Sequence, residues 1–165
     1  MLVYHGSYTE IIRPHLNYSR HNLDFGKGFY VTTIQEQADK WAVRKGRISN
    51  KAPVVSVYEF EIIGLKILSF NGYSVEWLDF VAENRAAEQE WHGYDAVFGN
   101  IADDDVAFVI NDYMRLLKNG RMTESGKRFY LEQLQYSKPN NQYAVATQKG
   151  IDAMAFAYSY GLEVQ

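Results

Sequence analysis

An alternation of apolar and polar residues between positions 53 and 62 constrains the fold more than any other feature of this sequence. Within it, Val55 and Val57 flank Ser56. Such a pattern is typical of a strand that buries one face and exposes the other. Strands of parallel sheets are covered on both faces and read as continuous apolar runs instead. The segment therefore favours an antiparallel sheet.

The predicted strands and helices do not follow the regular strand–helix–strand order of a parallel sheet. Short β-branched or aromatic runs predict strands at residues 2–5, 29–33, 53–62, 67–70, 95–98 and 142–147. Helical spacing of apolar residues predicts helices at residues 35–45, 74–90, 106–118, 123–135 and 148–158. Thr32 or Thr33 is a candidate cap for the first helix, and Thr123 for the fourth. We therefore expect one α+β domain over residues 1–165, with mainly antiparallel β-sheets flanked by helices.

Composition excludes several kinds of site and favours a cytoplasmic protein. The chain has no cysteine, which rules out disulfides, thiolate metal sites and a cysteine nucleophile. The sequence has no apolar run of about 18 residues to span a bilayer. Residues 1–5 lack the pattern of a secretory signal, so we expect no membrane partner. The net charge is −3 without a dense Lys/Arg run, which argues against an extended nucleic-acid-binding surface.

Three short segments carry residue types suited to chemistry: residues 4–7, residues 25–30 and residues 141–145. Each has an ordinary structural explanation when it is taken alone. A histidine at a strand end more often makes a structural hydrogen bond than a catalytic one. Gly26-Lys27-Gly28 reads as a tight turn that enters a strand. A phosphate-binding loop would need a Lys-Ser/Thr pair, and a dinucleotide fingerprint would need a third glycine followed by a helix.

Taken together, the three segments resemble the ADP-ribosyltransferase superfamily, in the branch related to poly(ADP-ribose) polymerases and diphtheria toxin. His-Gly-Ser ends the first strand at residues 5–7, and Gly-Lys-Gly-Phe-Tyr leads into the second at residues 26–30. Asn-Gln-Tyr-Ala-Val opens a late strand at residues 141–145. More narrowly, residues 19–30 look like an uncharacterised bacterial family assigned to the same clan. The resemblance implies split antiparallel β-sheets flanked by helices, with NAD as co-substrate and no metal.

The resemblance also implies a role for each matching residue. The catalytic positions would be held by His5, Tyr30 and Gln142, and NAD would be bound by His5, Gly6, Ser7, Ser19, Arg20, Gly28, Tyr30 and Trp41. His5 would hydrogen-bond the nicotinamide-side ribose, and the Gly6 backbone would hold the carboxamide, with the Ser7 hydroxyl beside it. Tyr30 would lie against the nicotinamide ring. Trp41, eleven residues later, either closes the other side of that ring or is a core residue of the first helix.

Gln142 departs from the pattern of the family, which has glutamate at this position. Its amide can still hydrogen-bond a ribose hydroxyl. It cannot act as a base or supply a full negative charge. The sequence candidates for a substitute carboxylate are Asp103, Asp104 and Asp105, although this run also reads as a solvated loop with a helix cap. The run lacks metal-ligand spacing.

We therefore expect an NAD-dependent mono-ADP-ribosyltransferase that releases nicotinamide and modifies an unknown acceptor, either protein or nucleic acid. Small members of the superfamily often act as toxins or effectors, so the resemblance also implies a neutralising partner protein. Two alternatives stay open. One is a catalytically silent module that binds NAD or ADP-ribose after losing the glutamate. The other is an interaction protein whose pocket is closed.

Overall fold

Two β-sheets form the centre of the molecule in this computed structural model, which describes residues 1–86, 92–102, 104–134 and 140–163. The first sheet has the order β1-β3-β7 and the second the order β2-β6-β5-β4. The strands are β1 (Leu2–Ser7), β2 (Phe29–Val31), β3 (Val54–Phe60), β4 (Ile67–Ser69), β5 (Ala96–Gly99), β6 (Gln142–Val145) and β7 (Met154–Gly161). Neighbouring strands pair antiparallel except β4 with β5, which are parallel. The predicted α+β class is therefore confirmed.

Helices cover the outer faces of both sheets. They are α1 (Gln35–Ser49), α2 (Val75–Arg85), α3 (Asp104–Lys118), α4 (Glu124–Leu134) and α5 (Gln148–Asp152). One apolar cluster joins α2, α3 and α4 to the second sheet through residues such as Trp77, Ile110 and Ala144. A second cluster lies between the sheets, where Val3 and Tyr58 meet Val145. No helix among the described residues has the length and apolarity needed to cross a membrane.

Helix α1 packs on the first sheet at very short range. Its sheet-facing residues are small: Ala38 and Ala42 are fully or almost fully buried and pack with Val55 and Val57 of β3. Gly6 of β1 lies directly beneath them. A Cβ atom on Gly6 would lie 2.2 Å from the Ala38 carbonyl oxygen and 2.7 Å from the Ala42 amide nitrogen. Glycine is therefore required at this position by the approach of a helix backbone.

The predicted helix over residues 148–158 is wrong beyond its first turn. Helix α5 ends at Asp152, and residues 154–161 form β7, which pairs with β3. Thr147 caps α5 by accepting from the Gly150 amide, so the local start signal was real. The long antiparallel pairing with β3 outweighs weak helical propensity in the segment that follows. The predicted helix ends at residues 90 and 135 lie outside the described residues.

Two threonines predicted to cap helices behave differently. Thr123 accepts a hydrogen bond from the Gly126 amide at 3.0 Å and caps α4, as expected. The prediction of Thr32 or Thr33 as the cap of α1 is wrong, because the N-cap residue is Ile34, whose side chain makes no capping hydrogen bond. Thr32 and Thr33 instead bond Asn141, which ties the start of α1 to the start of β6.

Substituting Gly6 by alanine should destabilise the protein, since the new methyl group collides with the backbone of α1. We expect the free energy of unfolding to fall by about 3 kcal/mol, at the upper end of the usual cost of overpacking. Gly161→Ala is the matched control, because a Cβ at Gly161 meets only the Pro53 carbonyl oxygen, at 3.9 Å. Urea unfolding of both variants measures the difference. Equal stability of the two variants would contradict the packing described here.

Candidate functional site

Strands β1 and β2 meet at one pair of residues and then part. Tyr4 and Thr32 exchange backbone hydrogen bonds of 2.8 and 3.0 Å. In a continued antiparallel ladder the next such pair would be Gly6 with Tyr30. Instead, Nδ1 of His5 bonds the Tyr30 carbonyl oxygen at 2.6 Å. The imidazole thus occupies the acceptor that the Gly6 amide would have used, and the two strands separate there.

The separation leaves the backbone of Gly6, a buried residue, at a strand edge with no pairing partner among the described residues. Successive residues of a strand direct their N–H and C=O groups to opposite edges, so Gly6 faces the same edge as Tyr4. On the other side of β1 the ladder with β3 continues through His5 and Ser7. Gly6 therefore presents one donor and one acceptor, side by side, toward the gap between β1 and β2. Ser7, buried at the end of β1, follows it.

His5 is held as a neutral imidazole. Its ring stacks on Phe29, with ring centroids 4.4 Å apart. The pKa of His5 is lowered to about 4, mainly by burial and also by the positive charge of Lys45, against the opposing effect of the bond to the Tyr30 carbonyl. A neutral imidazole that bonds a carbonyl through Nδ1 carries its proton on that nitrogen. Nε2 is therefore left as a hydrogen-bond acceptor.

Tyr30 points to the opposite face of β2 from Phe29, as successive strand residues do. Its hydroxyl donates to the Gly26 carbonyl at 2.7 Å and accepts from the Phe25 amide at 3.0 Å. Burial raises the pKa of Tyr30 well above its usual range, and the Asp24 carboxylate adds to this effect. Tyr30 is therefore a fixed, protonated phenol that anchors the turn before its own strand.

Ser19 and Gly28 bind each other. The Ser19 hydroxyl accepts from the Gly28 amide at 2.7 Å and donates to the Gly28 carbonyl at 2.8 Å. A Cβ on Gly28 would lie 3.0 Å from the Val145 carbonyl oxygen, which leaves little space there. Two residues expected to bind NAD thus hold the irregular segment before β2 against the second sheet.

A small basic group adjoins His5. Lys45 of α1 is partly buried, and burial lowers its pKa, with Arg20 adding to the effect. No carboxylate among the described residues lies within ion-pair distance of Lys45 or Arg20. The Lys45 ammonium lies 5.7 Å from the centre of the Trp41 ring. The side chain of Trp41 is 49% exposed, so its interpretation as a core residue of α1 is wrong.

The position of Trp41 follows from the packing of α1. Because Gly6 lies so close beneath the helix, only Ala38, Ala42 and Gly46 fit on its sheet-facing side. A ring as large as indole is displaced to the flank, where the Arg44 guanidinium also lies 5.4 Å from its centre. Trp41 therefore does not face the sheet. The Lys45 ammonium lies near its ring and is also close enough to His5 to lower the pKa of the imidazole.

Gln142 lies beside a carboxylate that the sequence did not single out. Its Nε2 donates to Oδ2 of Asp24 at 2.9 Å, and the same oxygen accepts from the Ala102 amide at 3.0 Å. The other oxygen, Oδ1, accepts two bonds from Arg85, at 2.9 and 2.7 Å. Arg85 also donates to the Ala102 carbonyl at 2.7 Å. The carboxylate adjacent to Gln142 is therefore Asp24, which is part-buried and paired with Arg85.

Sequence reasoning missed Asp24, Arg85 and Lys45. Asp24 belongs to the motif at residues 19–30, but a single aspartate in an irregular segment has no periodicity to mark it. Arg85 is 61 residues away in the chain, so only the packing of α2 brings the two together. The sequence candidates for a substitute carboxylate, Asp103 and the side chains of Asp104 and Asp105, lie outside what the structure describes.

The three predicted catalytic residues form one connected group. His5 reaches Tyr30 through its backbone carbonyl, Tyr30 reaches the Phe25–Gly26 turn through its hydroxyl, and Asp24 of that turn binds Gln142. Two surface cavities lie elsewhere. One of about 280 Å³ is lined by residues that include Met1 and Phe60, and one of about 340 Å³ lies at the end of α1 around Asn50. Neither of these two cavities is lined by His5, Tyr30 or Gln142.

The neutral state of His5 makes stability depend on pH. The folded pKa of about 4 lies below the ordinary value of 6.5, so the unfolded chain binds more protons between these limits. The free energy of unfolding should therefore fall as the pH drops from about 6.5 toward 4, with about 2 kcal/mol lost from His5 by pH 5. Above about pH 7.5 the histidine should contribute no slope.

Urea unfolding of wild type and His5→Gln at pH 5 and pH 7.5 isolates this contribution. Glutamine retains an N–H donor for the Tyr30 carbonyl but does not titrate. We expect the free energy of unfolding to fall by about 2 kcal/mol less on acidification in the variant than in wild type, because the other titrating groups are common to both proteins. Equal losses in the two proteins would show that His5 is not held neutral by burial.

Comparisons with known proteins identify a family without identifying an activity. Neither the curated proteins nor the solved structures contain a match to this chain. A family model described as "Protein of unknown function (DUF3990)" matches residues 1–156, which include every site residue described above. The expected membership in an uncharacterised family is confirmed. The chain belongs to this family of proteins of unknown function.

Proposed function

We propose that this protein binds NAD and transfers its ADP-ribose group to an acceptor, as a mono-ADP-ribosyltransferase. The observation that carries the proposal is the open edge of Gly6 beside a neutral His5. A carboxamide has one acceptor and one donor side by side. These complement the N–H and C=O groups of Gly6, so the nicotinamide end of NAD fits this edge.

Charge supports the same orientation of the dinucleotide. The diphosphate of NAD carries negative charge, and Lys45 and Arg20 are cations without a carboxylate partner among the described residues. Lys45 is close enough to His5 to lower its pKa. A dinucleotide with its carboxamide at Gly6 would thus extend its diphosphate toward a basic region, beside the exposed ring of Trp41.

The proposed chemistry requires few groups from the protein. The bond between the ribose C1′ and the nicotinamide nitrogen breaks, and its electron pair leaves with nicotinamide. The acceptor forms a new bond to C1′ and releases its proton to solvent. Nε2 of His5 accepts a hydrogen bond from a ribose hydroxyl, and the amide of Gln142 offers the ribose a second polar contact. Since no charged base occupies position 142, a single transfer to a nucleophilic acceptor is favoured over chain elongation.

A second candidate function is a silent module that binds NAD or ADP-ribose without turnover. The amide of Gln142 favours it, because a lost general base typically costs about 10²–10⁴-fold in rate. Neither of the two cavities is lined by His5 or Tyr30, which favours the third alternative, an interaction protein with a closed pocket. A toxin or effector role and a neutralising partner protein belong to the proposed transferase and rest on the resemblance. The cytoplasmic location proposed with them rests on composition.

Incubation of the purified protein with NAD labelled in its adenylate half and a cell lysate tests the transferase. We expect label on an acceptor and release of nicotinamide with wild type, and loss of both with His5→Ala. His15→Ala is the control, since His15 is exposed and makes no side-chain capping bond. Binding of NAD without transfer would favour the silent module. Absence of binding at millimolar NAD would favour the closed interaction protein.

The proposed binding of the carboxamide to the Gly6 backbone also predicts which dinucleotide the protein prefers. Nicotinic acid adenine dinucleotide differs from NAD only by a carboxylate in place of the carboxamide. It lacks the donor for the Gly6 carbonyl and brings a negative charge against that oxygen. We expect it to bind at least about tenfold more weakly than NAD, the effect of losing one buried hydrogen bond. Calorimetric titration of both compounds measures the ratio. Equal affinities would remove Gly6 from the proposed site.

A further inference from the structure

The amide nitrogen of the Gln142 side chain is hydrogen-bonded, whereas its amide oxygen has no hydrogen-bond donor among the described residues. Nε2 lies 2.9 Å from Oδ2 of Asp24 and 3.5 Å from the Asn100 carbonyl oxygen, and both of these atoms are acceptors. Among the described residues no donor reaches Oε1, and no buried side-chain oxygen or nitrogen lacks a hydrogen-bond partner. Oε1 therefore retains contact with solvent, although Gln142 as a whole is only 7% exposed.

Asp24 determines which atom of the Gln142 amide, the nitrogen or the oxygen, faces the carboxylate. If the amide were flipped, Oε1 would lie against the Asp24 carboxylate and two oxygens would face each other without a proton. The carboxylate cannot turn to avoid this, because Arg85 holds Oδ1 with two bonds and the Ala102 amide holds Oδ2. An amide oxygen accepts hydrogen bonds and cannot donate them. The arrangement therefore presents a fixed acceptor, and no donor, at the free end of Gln142.

We propose that Asp24 is a positioning residue that orients Gln142 so that Oε1 accepts a hydrogen bond from a ribose hydroxyl of the bound dinucleotide. This inference rests on the proposed function, which supplies the ligand. Glutamine at position 142 is then one half of a pair with Asp24. Because Arg85 neutralises Asp24 directly, the carboxylate contributes orientation and does not contribute a free negative charge to the reaction.

The pairing also changes what a glutamate at position 142 would do. In Gln142→Glu, two carboxylates would lie at the distance that now separates Nε2 from Asp24, and at most one would ionise without repulsion. The exchange variant Asp24→Asn/Gln142→Glu keeps an amide donor opposite a carboxylate, with the direction of the bond reversed. It therefore restores a fixed acceptor at position 142, which Asp24→Asn alone no longer holds in place.

The first measurement is NMR of the Gln142 side-chain amide in the protein without ligand, assigned by its absence in Gln142→Glu. We expect one of its two protons to shift downfield and to exchange slowly with water, because it bonds a part-buried carboxylate held by Arg85. In Asp24→Asn that signature should disappear. A wild-type amide with ordinary shifts and fast exchange would overturn the proposed orientation, whatever ligand the protein binds.

The second measurement compares the affinity for NAD with that for the analogue that lacks the 2′-hydroxyl on the nicotinamide ribose. We expect wild type to favour NAD by about tenfold, the effect of one hydrogen bond. Asp24→Asn should reduce the preference to about threefold or less, and the exchange variant should recover it. The matched control is Asp79→Asn, which removes another part-buried aspartate, bonded to Lys127 and Tyr113, away from Gln142.

The outcomes separate the two proposals. Loss of preference in Asp24→Asn but not in Asp79→Asn, with recovery in the exchange variant, supports the positioning role. An unchanged preference in Asp24→Asn, in a variant that melts cooperatively, overturns it while leaving the transferase proposal intact. If wild type fails to bind NAD, the proposed function fails, and the ligand-facing role of Gln142 fails with it. The NMR result then reports only a structural Asp24–Gln142 pair.

Discussion

The hydrogen bond between His5 and the Tyr30 carbonyl is the interaction on which the rest of this site depends. Two neighbouring strands normally continue to pair until a turn or a bulge separates them. Here a side chain takes the carbonyl that the next backbone amide would have bound, so β1 and β2 part after a single pair. The same bond sets the tautomer of the imidazole and leaves a donor and an acceptor of Gly6 without a strand partner. One contact therefore determines three properties of the site.

A second constraint holds the segment between β1 and β2 in place without regular secondary structure beyond one short 3₁₀ turn at Leu16–Tyr18. Its backbone is satisfied by side chains from several elements. Ser56 and Tyr58 of β3 bind both backbone groups of Ile11, and Ser19 does the same for Gly28. Buried polar backbone groups that find such partners cost little, which explains how an irregular segment packs against both sheets.

The pair of Asp24 and Arg85 connects this segment to the helices on the second sheet. Arg85 is near the end of α2, and its backbone carbonyl also accepts from the Asn22 side chain at 2.9 Å. Two positions of the irregular segment are thus attached to one residue of α2. Because Asp24 also binds Gln142, the end of α2 helps to set the geometry at the start of β6. A charge withdrawn this far from solvent is stabilised when it is paired and hydrogen-bonded, and Asp24 accepts four bonds within the described residues.

The sequence by itself determined the α+β class, since half-buried strands and amphipathic helices are read directly from periodicity. Through the resemblance of their motifs it also predicted that His5, Tyr30 and Gln142 belong to one site; the structure connects them by hydrogen bonds, and their catalytic role stays a prediction. Only the tertiary structure decided that residues 154–161 form a strand, since pairing with β3 supplies what local propensity does not. It likewise moved Trp41 off the sheet and placed Asp24 against Gln142. These outcomes depend on contacts between residues far apart in the chain, such as the 118 positions between Asp24 and Gln142, and no local pattern encodes them.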